Sequence, residues 1–244
     1  MTLLQLRTLA RKRLGDAGGA FWTDAEINTY INDGCRDVAY RTKSIKTNGY
    51  ITPISCSAST SATTGGTREW TLSTTLTGIY SIEDVYYFQN NVWTKMVPTS
   101  RDDLNNESDG WLSNVGYTVT SGTTTYNYAS NASIPTHYYW DREEDIFGID
   151  PPPSSGNVGT DYIRVYYTKK YTDISSDSST PGIPEPLHQC VVNFAAATGF
   201  EDRGWGERAN DQWAKYFKRI SDYLVETNRE REDDEIIMKS YKNV

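Results

Sequence analysis

Histidine and cysteine are scarce in this chain of 244 residues, which has two of the first and three of the second. Cys35, Cys56 and Cys190 make an odd set without CxxC spacing, so neither a disulfide framework nor a zinc site is indicated, and a cytosolic folding environment is the simplest inference. His137 and His188 fall in a predicted strand and a predicted helix, with no cysteine or carboxylate at metal-ligand spacing. His188 stands in a first helical turn, where a solvated or capping role is expected. Long hydrophobic runs are missing as well: no stretch approaches the length needed to span a bilayer. The opening MTLLQLRTLARKRLG places its basic residues after the leucines, unlike a secretory signal. Basic excess is absent, since 24 Lys and Arg face 32 Asp and Glu, and a net charge of −8 argues against gripping nucleic acid by phosphate neutralisation. Gly18-Gly19 and Gly65-Gly66 lack the lysine and the strand-to-helix context of a phosphate loop, and GxSxG does not occur. No catalytic residue, cofactor or metal ligand is expected.

What is present is aromatic and unevenly charged. Hydrophobic residues make up only 37% while aromatics reach 13%, so Tyr and Trp must supply much of the packing. Residues 1–48 carry 8 basic and 5 acidic side chains, residues 49–183 carry 7 and 15, and residues 184–244 carry 9 and 12. The acidity therefore resides mostly in the middle of the chain.

Helical signatures stand at both ends, over 22–43 and 184–227. A first helix is predicted over 3–14, capped by Thr2 with Gln5 completing a capping box and Gly15 ending it. The second has the strongest local signals: Thr23 as cap, Glu26 as reciprocal partner, and Trp22 with Ile27 as a hydrophobic staple. Ile27, Tyr30, Ile31, Cys35, Val38 and Ala39 then follow one helical face. Gly34 within that helix costs roughly 1 kcal/mol relative to Ala, with no reason visible in the sequence.

Between 50 and 174 the pattern changes to short β-prone runs at 70–72, 81–88, 93–97, 117–120, 136–140, 145–149 and 162–167. Two Ser/Thr/Asn/Gly-rich segments, 55–66 and 118–133, interrupt them, and the first reads as an extended loop. Residues 151–156 read as a rigid proline-rich corner joining the last two runs into a hairpin. Asp141, Glu143, Glu144 and Asp145 lie beside Tyr138, Tyr139 and Trp140, and paired carboxylates near aromatic platforms are what a glycosidase requires. A turn rich in Asp and Glu is the simpler reading, because neighbouring side chains on a turn seldom face each other across a bond.

Helix resumes after 181–186. Leu187, Val191, Phe194, Ala195 and Thr198 share one face, Gly204 and Gly206 break the helix, and Ala209, Trp213, Tyr216, Phe217, Ile220 and Leu224 form an apolar stripe on the last. A charged run at 226–235 follows, and then Ile236, Ile237, Met238 and Tyr241 bring an apolar patch to residues 229–244.

Three stretches resemble the head-to-tail connector, or adaptor, proteins of short-tailed bacteriophages. They are Phe21-Trp22-Thr23-Asp24-Ala25-Glu26-Ile27 continuing through Tyr30-Ile31-Asn32-Asp33-Gly34 to Arg36-Asp37-Val38-Ala39; Pro135-Thr136-His137-Tyr138-Tyr139, Ile149-Asp150-Pro151-Pro152-Pro153 and Ile163-Arg164-Val165-Tyr166-Tyr167; and Ile183-Pro184-Glu185-Pro186-Leu187-His188 opening an Ala-rich helix. The resemblance implies an α+β fold: a bundle of about four helices from residues 1–48 and 184–228, a β-rich domain over 49–183 inserted between helices two and three, and an extension over 229–244. It implies a structural virion protein of the neck, made in the host cytoplasm and without enzymatic activity. Such a subunit forms a ring with copies of itself, twelve in the family, which joins the portal protein to tail or nozzle proteins. Packaged DNA passes through the lumen without sequence-specific binding, and no membrane is involved. Connector C-termini reach between portal subunits, which gives Arg229, Arg231, Ile236, Ile237, Met238 and Tyr241 an expected portal-binding role, with ordering on the portal. A different class, a carbohydrate- or cell-wall-binding module with weak glycan hydrolase activity, would use the Trp and Tyr residues and the 141–145 cluster, but has no need of helices at both chain ends. Another neck or tail-completion protein is the third reading.

Overall fold

The computed structural model describes residues 1–51, 69–89, 91–103, 118–121, 124–127, 135–150 and 162–241. The chain is α+β and divides into two compact units, one of Met1–Ile45 with Lys170–Val244 and one of Lys46–Lys169.

The first unit is helical. α1 (Leu3–Leu14) carries the full Thr2–Gln5 capping box and ends at Gly15 with φ 74°. α2 (Asp24–Thr42) carries the matching Thr23–Glu26 box and ends at Lys43. Ile27, Ile31, Cys35 and Val38 are fully buried, as the 3.6-residue period requires. Gly34 has its reason here: a Cβ at that position would lie 3.0 Å from the Phe194 ring, so its absence lets α2 approach α4 (His188–Asp202) closely. α4 differs from expectation. Cys190, Val192, Asn193, Ala196 and Ala197 are buried alongside the predicted face, whereas Phe194 and Thr198 are only half-buried. The reason is position: α1, α2 and the last helix all pack on α4, and a surrounded helix has no single apolar stripe. Gly204, with φ 71°, reverses the chain into that last helix, numbered α5 (Gly206–Tyr241). Ala209, Tyr216 and Ile220 are buried on it and Trp213 and Leu224 half-buried, but Phe217 remains 49% exposed, outside the predicted stripe's core.

A strap over residues 170–181 ties α1 and α2 together. Asn32 donates to the Ile174 carbonyl and accepts from the Ile174 N–H, both at 3.0 Å. The Leu3 N–H donates to the Ser179 carbonyl at 2.9 Å, Arg7 pairs with Asp177 at 2.9 Å, and Arg36 pairs with Asp173 at 2.9 Å.

The second unit contains two four-stranded sheets and, among the described residues, a separate ladder of β6 (Thr118–Ser121) with β7 (Thr124–Asn127). One sheet, wholly antiparallel, has the order β1 (Lys46–Ile51), β10 (Ile163–Lys169), β3 (Ile79–Gln89), β4 (Val92–Lys95). The other orders β2 (Glu69–Thr71), β9 (Ile146–Asp150), β8 (His137–Asp141), β5 (Val97–Pro98), with β5 parallel to β8. Period-two alternation sends Val85, Tyr87, Ile163 and Val165 into one core with Trp70, Phe147 and Ile149. Leu72 starts a short helix, α3 (Leu72–Thr75), rather than ending a strand. The predicted hairpin of the 145–149 and 162–167 runs does not form: β9 pairs with β2 and β8, and β10 pairs with β1 and β3. A proline corner specifies a turn but not which edge receives the next strand. The corner itself, the 55–66 segment and Cys56 lie outside the described residues, as does the 118–133 segment apart from β6 and β7.

Candidate interaction surfaces

The acidic cluster is a turn. Asp141 accepts from the backbone N–H groups of Glu143 and Glu144 at 3.0 and 3.1 Å, closing the β8–β9 hairpin. Asp145 adopts φ 58° and accepts from the Ser73 N–H at 3.0 Å, while Glu144 pairs with Arg101 at 3.0 Å. Asp141 and Asp145 therefore bind backbone, and this arrangement does not set a pair of carboxylates across a substrate bond.

His188 departs from the solvated role expected of it. It is 2% exposed, its Nδ1 is 2.8 Å from the Met1 amino group, and its Nε2 lies 3.2 Å from the Ile183 carbonyl. Burial, with the Met1 ammonium adding to it, pushes its pKa below the ordinary histidine value. The ring is a neutral strut between the chain's first residue and the turn before α4. His137 shares a 2.9 Å hydrogen bond between Nδ1 and the Thr136 hydroxyl. Among the described residues no group of three His, Cys, Asp or Glu could hold a metal ion, and no helix is long and apolar enough to cross a membrane.

Arg229, Arg231, Ile236, Ile237, Met238 and Tyr241 all fall on the α5 backbone, which continues as helix to Tyr241; their side chains lie outside the described residues.

One surface of the helical unit was not legible in the sequence. The loop between α1 and α2 is organised by Asp16, 3% exposed, whose carboxylate accepts from the N–H groups of Ala20, Phe21 and Trp22 at 2.7, 3.2 and 3.1 Å. Arg11 pairs with Asp16 at 2.9 Å, with Asp24 at 2.6 Å, and donates to the Trp22 carbonyl at 2.8 Å. Burial works against the Asp16 charge, but the Trp22, Ala20 and Phe21 N–H groups and Arg11 outweigh it and hold the carboxyl below the ordinary range. The loop so fixed sets Phe21, 64% exposed, beside the buried Trp22, with Trp205, 41% exposed, 6.1 Å from Trp22 and 5.9 Å from Phe200. Arg203 lies 5.4 Å over Trp22 and donates to the Phe21 carbonyl, and Arg208 lies 5.4 Å over Trp205. The result is an exposed aromatic corner carrying two guanidinium groups. Tyr, Trp, Phe and Arg are the side chains that dominate protein–protein contacts. Phe21-Trp22 gave half of this signal; Trp205 follows the Gly204 reversal, far along the chain, and only the fold brings it there.

Beyond the geometry, the chain resembles a known family along nearly its whole length. The family described as SU10 adaptor protein matches residues 1–237. No curated protein matches the chain. That family is a structural adaptor of phages, so association with other capsid or tail components follows, and the helix caps, the β-rich middle and the aromatic corner all lie within the matched span. The chain belongs to the SU10 adaptor protein family.

Proposed function

We propose that this chain is a ring-forming head-to-tail connector, that copies of it close a ring beneath the portal, and that the ring continues the DNA channel toward tail or nozzle proteins. Twelve copies is the ring size that the family resemblance suggests. In this reading the helical residues 1–48 and 184–228 form one bundle with the β-rich residues 49–183 inserted between helices two and three, and the extension over 229–244 reaches the portal. The mechanism is geometric and needs no catalytic group. The observation that carries the reading is the family match over residues 1–237. An acidic chain, at −8, also suits a lumen through which DNA must slide without being held.

Arg229, Arg231, Ile236, Ile237, Met238 and Tyr241 are the proposed portal contacts. A large apolar side chain left in water forgoes roughly 1.5–3 kcal/mol of burial, and docking on the portal recovers it against the entropy of ordering. Deleting residues 236–244 tests the assignment: the fold and thermal midpoint stay nearly unchanged while attachment to the portal weakens and heads lose DNA or fail to acquire tails. Unfolding of the truncated chain, or assembly on portals as good as that of the full chain, overturns it.

A further inference from the structure

The outward face of the β1–β10–β3–β4 sheet is aromatic, although alternation should make it polar. The register sets Tyr50 opposite Arg164, Arg164 opposite Tyr86 and Tyr86 opposite Lys95; beside that row stand Asn48, Tyr166 and Asp84, and on its other side Phe88 faces Trp93. The rings touch: Phe88 is 5.0 Å from Trp93 and 5.9 Å from Tyr162, Tyr86 is 5.6 Å from Tyr166, and Tyr50 reaches Trp93 at 6.3 Å. All six are half-buried or exposed, while Val85, Tyr87, Ile163 and Val165 on the same strands are buried. In their midst the Arg164 guanidinium lies 4.9 Å over Tyr166 and 5.7 Å over Tyr50, and its hydrogen bonds go to the neutral Asn48 amide oxygen at 3.2 and 3.3 Å. Two of the three lysines of this sheet are neutralised, Lys95 by Asp84 at 2.5 Å and Lys46 by Glu83 at 3.0 Å, and the third, Lys169, stands at the far end of β10 from Arg164's row. Among the described residues Arg164 has no carboxylate partner.

We propose that this face docks a second structural protein of the particle, through a segment that sets an Asp or Glu carboxylate on Arg164 and apolar side chains on the surrounding rings. The proposal rests on the adaptor reading, since an adaptor joins unlike components. Charge complementarity selects the occupant. A guanidinium ringed by aromatic side chains is shielded from water, so an opposing carboxylate gains more there than at an open surface. A self-complementary contact centred on this face is disfavoured, because it would bring Arg164 against Arg164. A nucleic acid is disfavoured, because residues 46–169 hold 7 basic against 13 acidic side chains and two of this sheet's three lysines are already paired. A neutral glycan would stack on the rings but leave the cation without a counter-charge. Four tyrosines, a tryptophan and an arginine also match the composition of energetic centres in protein interfaces.

The test uses particles carrying Arg164→Lys, treated with a water-soluble carbodiimide, which joins an amine to a carboxylate only when the two are in contact. Mass spectrometry is expected to find position 164 joined to an Asp or Glu of a different structural protein. Particles carrying Arg164→Glu or Trp93→Ala should retain that protein about ten-fold less or worse, with the chain still at the portal and its thermal midpoint unchanged. A cross-link only to other copies of this chain, no cross-link at all, or unchanged composition in both variants overturns the proposal. So does quenching of tryptophan fluorescence by chitohexaose that Trp93→Ala abolishes, which would assign the face to a glycan. Loss of the docked protein's assignment with the chain still seated on the portal leaves the adaptor reading intact; absence of the chain from particles sinks both.

Discussion

The two units are held together in opposite ways. The helical unit draws on both ends of the chain, and its strap is pinned by polar contacts between distant residues: Asn32 with Ile174, Arg7 with Asp177, Arg36 with Asp173. In the sheet unit the contacts are cross-strand and aromatic, as in the stacked Tyr138–Phe147 pair with centroids 6.0 Å apart and the Trp70–Phe147 pair at 6.2 Å. A helix satisfies its own backbone and can be written into a short stretch of sequence; a strand cannot, so its neighbours must be specified by side-chain packing. The comparison teaches that the helical unit adds a strap pinned by a few named polar groups to its apolar core, while the sheet unit is organised by cross-strand aromatic shape.

The largest effect should come from Tyr216→Ala. Tyr216 is fully buried, packs on Phe194 at 5.6 Å and donates its hydroxyl to Asp37, so truncation costs about 3–5 kcal/mol. Hydrogen exchange should show protection lost in α2, α4 and α5 and kept in β3, β9 and β10; equal loss in both units would break the comparison. Gly148→Ala should act on the other side. A Cβ there would lie 2.0 Å from the Tyr139 ring, and overpacking of that kind costs about 3 kcal/mol, read as faster exchange in β8 and β9 with the helices unaffected.

A smaller effect sharpens the polar half of the comparison. The Asp16 carboxyl titrates below its unfolded-state value of about 3.9, so its contribution is complete above that pH and is lost as pH falls through the folded value. The thermal midpoint of the natural chain should fall on acidification more steeply than that of Asp16→Asn, and parallel curves would remove Asp16 as the organiser of residues 15–23.

Local chemistry was legible and long-range placement was not. Both capping boxes, Thr2 with Gln5 and Thr23 with Glu26, appear where the sequence puts them, because a cap is decided within four residues. β1 escaped notice because Lys46, Thr47, Asn48 and Gly49 show neither alternation nor β-branched enrichment; their strand exists through pairing with β10. The false β9–β10 hairpin, the burial of His188 and the reason for Gly34 all depend on a neighbour more than a hundred residues away or in another sheet. At the candidate surfaces, Phe21-Trp22 was visible as a motif, while Trp205, Arg203 and the ring of aromatics about Arg164 required the fold and the strand register.

Cryo-electron microscopy of the neck in purified particles tests the central claim most directly. The account predicts a closed ring of this chain between portal and tail, with residues 236–241 in density against portal subunits. Particles in which the chain is absent, or sits elsewhere than between portal and tail, would contradict it.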